Sequence, residues 1–98
     1  MNAAQIILQQ LGGNRFIAFT GSKNLSYGDQ GNTLYMHLTK NKAKAKYLSI
    51  SLKSDDTYTM TFSTLKKNEL VEIEKTEGVY CDMLQDEFTR VTGLYTRF

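Results

Sequence analysis

Four lysines at every second position, Lys40, Lys42, Lys44 and Lys46 in "TKNKAKAKYLS" (39–49), form the densest chemical feature of the chain. Ammonium groups on flexible stems suit phosphate oxygens, and aromatic faces beside them suit stacked bases. Arg15, Lys23, Tyr35 and Tyr47 complete a candidate nucleic-acid-binding set with the four comb lysines. The same comb also fits a simpler role, the solvated tip of a hairpin that discourages edge-to-edge aggregation. Continuing the strand alternation inward would give these lysines the parity of Leu38 and Leu48, pointing them at a core. Most of the comb therefore belongs to a turn. It offers charge without base readout.

Catalysis is limited by inventory. One histidine and one cysteine exclude a His/Cys metal cluster, and no cofactor motif is present. Cys81 and His37 are a conceivable nucleophile and base, but Cys81 reads as a buried thiol at the edge of a helical apolar arc, and His37 as a surface residue of a strand. "GGNRFIAFTGSKN" fails as a phosphate loop because Ser22 separates Gly21 from Lys23 and Phe16 occupies the position of the second glycine. Asn24–Ser26 is formally a glycosylation sequon, without meaning in the absence of a secretory signal. Asp55 and Asp56, adjacent between two strands, read as turn formers rather than paired catalytic carboxylates. Glu87 intrudes on an apolar arc. It is read as reaching the edge, as meeting a partner such as Arg15 or a lysine, or as having a functional role.

The elements that must position these residues follow from periodicity. Residues 2–13 read as a helix with Ala3, Ala4, Ile7, Leu8 and Leu11 inward, Ile6 outside that stripe and Gly12 and Gly13 as its stop. "RFIAFT" (15–20) reads as the first strand, and residues 24–27 as a short second one. "TLYMHLT", "YLSISL" and "YTMTF" alternate with period two, placing Leu34, Met36, Leu38, Leu48, Ile50, Leu52, Tyr58, Met60 and Phe62 in the core. The opposite face should be wet, carrying Tyr35, His37, Thr39, Tyr47, Ser49, Ser51, Thr59, Thr61 and Ser63. Short connections imply antiparallel hairpins, and "LVEIEK" a last strand. Glu77 to Thr92 reads as a second helix with Tyr80, Met83, Leu84, Phe88 and Val91 inward and Gly93 as its C-terminal glycine. "LYTRF" is an apolar tail able to dock on the sheet or on a second copy.

The predicted fold is a two-layer α+β sandwich: an antiparallel meander of four to six strands with an N-terminal and a C-terminal helix packed on one face. One domain covering 1–98 accommodates the 41% apolar content. No apolar run approaches the roughly 18 residues of a membrane span. With its lone cysteine, the chain reads as soluble and intracellular. Net charge is only +2, but residues 1–67 carry nine basic and three acidic side chains, and residues 68–98 carry three and seven. One positive surface is therefore available. Long crossovers and a glycine-aromatic strand signature are missing, which sets the chain apart from the RNA-recognition fold.

"ILQQLGGNRFIAFTGSKNL" (7–25) and "EGVYCDMLQDEFTRVTGLYTRF" (77–98) resemble the ends of a family of small proteins encoded by bacteriophages and integrated mobile elements. The resemblance covers under half of the chain and none of the comb. It implies a setting: the bacterial host's cytoplasm, and a non-enzymatic accessory factor that works by contact with a host or phage protein. Homodimerisation through a sheet edge or the tail is a further expectation. The alternative is the nucleic-acid-binding module built on the basic loop.

Overall fold

The computed structural model describes residues 2–96. Three helices cover one face of a five-stranded antiparallel sheet with strand order β1-β2-β3-β4-β5, so the predicted α+β meander is the observed architecture. The elements are α1 (Ala3–Leu11), α2 (Asn14–Thr20), β1 (Lys23–Gly28), β2 (Thr33–His37), β3 (Tyr47–Leu52), β4 (Tyr58–Lys66), β5 (Glu69–Val79) and α3 (Leu84–Thr92).

Helix α1 begins with a reciprocal cap. Gln5 N–H donates to Asn2 Oδ1 and Asn2 N–H to Gln5 Oε1, both at 2.9 Å, which satisfies two otherwise orphaned donors. Its inward stripe buries Ala4, Ile7 and Leu11, while Ile6 stays exposed as its place on the wheel requires.

"RFIAFT" is helix α2 and not the expected first strand. A helix puts Phe16 and Thr20 on one face, i and i+4, and both are buried. Thr20 Oγ1 donates to the Phe16 carbonyl at 2.7 Å, and Gly21, left-handed at φ 69°, ends the helix with its N–H on the Ile17 carbonyl. A Cβ at Gly21 would lie 2.7 Å from Thr39 Cγ2, so this stop is also a point of close approach to the β2–β3 loop.

Eight of the nine predicted strand core residues are buried; Leu52 is half-buried against the cluster. Register explains why. Leu34, Ile50 and Met60 lie directly opposite one another across β2, β3 and β4, and Met36, Leu48 and Phe62 form the next row. Helix α3 closes this face through Phe88, whose ring meets Phe16 edge-on at 5.0 Å and Phe62 at 6.4 Å.

The helix expected over Glu77–Thr92 is shorter, Leu84–Thr92. Glu77–Val79 belong to β5, where buried Val79 pairs with Tyr58. Gly78 sits at φ 68°, outside helical space. A 3-10 turn at Cys81–Met83 follows before α3 starts at Leu84. Tyr80 and Met83 consequently miss the inward arc and are exposed, as is Cys81, which was expected to be buried. Gly93 does end α3, left-handed at φ 75° with its N–H on the Thr89 carbonyl. In the tail, Leu94 packs against the core, Tyr95 is exposed and Thr96 is buried; Arg97 and Phe98 lie outside the described residues.

Glu87 finds a structural partner other than Arg15. Arg90, one turn on, donates from Nε and Nη2 to both Glu87 oxygens at 2.7 and 2.9 Å, and Nη2 also reaches Glu74 of β5. The Arg90 hydrogen bonds hold the Glu87 carboxyl below its ordinary value against the opposing effect of burial, and the two carboxylates raise Arg90. A depressed carboxylate contributes stability above the pH at which it titrates when unfolded, about 4.3, and that contribution disappears as pH falls through the lower folded value. Glu87→Gln is expected to lower stability by on the order of 1 kcal/mol near neutrality. The deficit should shrink as pH falls through the folded value of Glu87, in urea unfolding curves recorded from neutrality into the acid range.

Candidate functional site

The face of the sheet opposite the helices carries two adjoining hollows that share His37 and Tyr47. One, of about 500 Å³, is lined by Lys23, His37, Leu38, Thr39, Lys40, Asn41, Lys44, Ala45, Lys46 and Tyr47. The other, about 400 Å³, runs across β1 to β5 past Ser26, Tyr35, Ser49 and Thr61 to Leu70. Together they form one groove, and among the described residues no acidic one lines either part.

Cross-strand register builds its floor. Lys23, His37, Tyr47 and Ser63 form one row across four strands, and Ser26, Tyr35, Ser49 and Thr61 the next. His37 and Tyr47, directly opposite, meet edge-to-face with centroids 4.8 Å apart. A bulge in β1 between Lys23 and Ser26, with Asn24 at φ 54°, brings the Asn24 amide to 3.2 Å from His37 Nδ1. As the amide nitrogen can only donate, Nδ1 accepts and the neutral ring carries its proton on Nε2. Tyr35 keeps an exposed ring over Gly28, where a Cβ would lie 2.4 Å from Tyr35 Cε2. A side chain at that position would displace the Tyr35 ring.

Not all of the predicted outer face is wet. Thr59 and Ser63 are buried, and the Thr39 hydroxyl turns to the Thr20 carbonyl at 2.6 Å. Thr33 and Ser51 hydroxyls pair at 2.8 Å, satisfying each other across β2 and β3.

The comb is an ordered loop, and Asn41 orders it. Asn41 Nδ2 donates to the Thr39 and Ala45 carbonyls, both at 2.8 Å, while Oδ1 accepts from Ala43 N–H at 3.1 Å and Ala45 N–H at 3.2 Å. Lys44 takes a left-handed conformation, φ 59°, and its N–H reaches the Asn41 carbonyl. That turn lets Ala45 enter the core and leaves Lys44 and Lys46 exposed. It resolves the parity conflict of the alternating lysines.

The loop divides the comb. Lys40, Lys44 and Lys46 line the groove with Lys23, and among the described residues none of these four is in an ion pair. Lys42 leaves the set. Its N–H donates to the Thr92 carbonyl at 3.1 Å and its stem lies beside Gly93, at the negative end of α3. Arg15 also leaves the set: it is exposed on α2, in the helix layer, and does not line the groove. Tyr35 and Tyr47 are both in place.

Asn41, Asn24, Gly28 and Leu70 were absent from the candidates read in the sequence. For Asn41 a signal existed, since asparagine within a polar connection is a frequent organiser of turns through its own side chain. Asp55 behaves in the same way: Thr57 N–H and Oγ1 donate to it at 3.1 and 2.6 Å, holding its carboxyl below the ordinary range, as a turn former does.

His37 lies in the groove and Cys81 does not line it. Among the described residues no three His, Cys, Asp or Glu side chains form a group able to hold a metal ion, and no helix is long and apolar enough to cross a membrane. No family model, curated protein or solved structure matches the chain.

Proposed function

We propose that the chain is a binding protein whose open sheet face takes a nucleic-acid strand, in the setting of a phage or mobile-element accessory factor. The observation that carries this reading is the convergence of Lys23, Lys40, Lys44 and Lys46 with Tyr35, Tyr47 and His37 on one groove that, among the described residues, no acidic side chain lines. Unpaired lysines supply phosphate contacts and release of counterions; the tyrosines supply faces for bases. Among the described residues no arginine lines the groove, the Asn41 amide is committed to its own loop and the Asn24 amide to His37, so sequence readout is weak and the expected ligand is nucleic acid in general rather than one site.

The test is fluorescence anisotropy of labelled oligonucleotides at rising salt. Four phosphate contacts on a single strand predict a loss of affinity of about 50-fold between 50 and 200 mM salt. Replacing Lys23, Lys40, Lys44 and Lys46 by alanine should remove binding and its salt dependence, whereas Lys42→Ala should leave the slope unchanged. Binding that persists in the quadruple variant would refute the groove.

A second reading, contact with a host or phage protein, is favoured by a different observation. Tyr80 and Met83 are 60% and 47% exposed just before α3. Absence of nucleic-acid binding at low salt, with capture of a partner lost in a Tyr80→Ser/Met83→Ser variant, would place the function there.

A further inference from the structure

Strands β4 and β5 run on past the rest of the sheet. Strand β3 starts at Tyr47, opposite Ser63, so Thr64–Lys66 and Glu69–Val71 pair only with each other. This two-stranded ribbon turns at Lys67 and Asn68, both at positive φ, the geometry of a tight hairpin turn. A bulge where Phe62 pairs with Glu74 and Ser63 with Glu72 adds Ile73 as an unpaired residue and bends the ribbon.

Leu65 and Leu70 lie directly opposite each other on the ribbon and share the parity of Thr61 and Ser63, the groove side of the sheet. They are 42% and 66% exposed, and Leu70 forms a wall of the same hollow as Tyr35 and Tyr47. An exposed leucine pair on an overhang, next to a tyrosine floor and with Lys66 and Lys67 at its tip, has no partner within the sheet. Burial against a flat apolar face would remove that surface from water. Nucleobases present such a face only when unpaired, because a duplex hides them in its stack.

Resting on the nucleic-acid reading, we infer that the groove is specific for single strands. A base lies in the 400 Å³ hollow between the Tyr35 and Tyr47 floor and the wall formed by Leu70, which Leu65 backs from the opposite strand, while the lysines follow the backbone. That volume is within the range of pockets that enclose ligands the size of a nucleoside. The wall supplies the preference for unpaired bases and the lysines supply the salt dependence, so the two are separable by mutation.

The experiment compares wild type with Leu65→Ser/Leu70→Ser on a labelled oligo-dT and on a duplex of equal length. Wild type should favour the single strand by about tenfold or more, and the double variant should lose that preference while keeping the wild-type salt slope. Both leucines are outside the buried cluster, so the variant should unfold at the wild-type temperature. Since the chain has no tryptophan, Leu70→Trp installs a single reporter. Its emission should be quenched on titration with oligo-dT and saturate with the anisotropy. Retained single-strand preference in the double variant, or an unquenched reporter under saturating oligo-dT, would overturn the wall while leaving the basic groove intact. Wild type that binds neither oligonucleotide would instead overturn the reading beneath it.

Discussion

Phe88→Ala is expected to cost about 3–5 kcal/mol, the largest effect of any single change considered. Phe88 is fully buried and meets one ring in each layer of the molecule: Phe16 of α2 at 5.0 Å and Phe62 of β4 at 6.4 Å. Truncation removes the transfer free energy of a phenyl ring and leaves a cavity walled by two rings that are held by separate elements. Neither can collapse into the space without dragging a helix or a strand. Phe88→Leu, which keeps most of the volume, should cost clearly less. Urea unfolding should show the midpoint falling with the slope unchanged, since the same surface is exposed on unfolding. Against a total of about 5–15 kcal/mol for a chain of this kind, the alanine variant approaches the limit of folding. A loss below about 1 kcal/mol would mean that α3 does not close the core as described.

Phe88 was legible because the helical period places it in line with Leu84 and Val91, and the strand period did the same for Leu34, Met36, Leu48, Ile50, Met60 and Phe62. Where reading failed, two periods competed over a short stretch. "RFIAFT" is too brief for either pattern to dominate, and burial of Phe16 against Phe88 decides for the helix. Tyr80 and Met83 fit the arc of a long helix, but Gly78 at positive φ and the pairing of Val79 with Tyr58 hold that segment on the sheet. Glu87 was recognised as an anomaly. Its partner Arg90 stands at i+3, where side chains of one helix are neighbours, and was missed because the cation was expected from Arg15 or the lysines.

The groove was legible in its residue types and not in its assembly. Lysines and tyrosines announce themselves in a sequence, but which of them share a face depends on register and on where a loop reverses parity. That reversal moved Lys42 to the end of α3 and kept Lys40, Lys44 and Lys46 beside Tyr47. The ribbon that carries Leu70 to the groove depends on a bulge, which no period in the sequence marks.

Asn41→Ala tests the assembly itself, since it leaves every lysine and tyrosine in place. The change removes four hydrogen bonds at once and strands the amides of Ala43 and Ala45, the latter in a residue only 3% exposed. At about 0.5–1.5 kcal/mol per bond, and with water reaching the outer part of the loop, a loss of about 2–3 kcal/mol is expected. Hydrogen exchange at Ala43 and Ala45 should accelerate more than in β3 or β4, because the loop opens before the sheet does. Binding should weaken with it, because lysines on a disordered loop must be ordered at the moment of contact. Asn41→Asp keeps the two accepted bonds but sets a carboxylate oxygen where Nδ2 faced the Thr39 and Ala45 carbonyls at 2.8 Å, so it too should lose stability, and the negative charge it places in the groove should make it the weaker binder of the two variants. Comparing them separates the two roles of the residue: alanine reports the loop's order, and aspartate adds the charge facing the strand. If both variants bind oligo-dT as wild type does, the ordered conformation of the comb loop is not what holds the strand, and the groove as assembled here is refuted as the binding site.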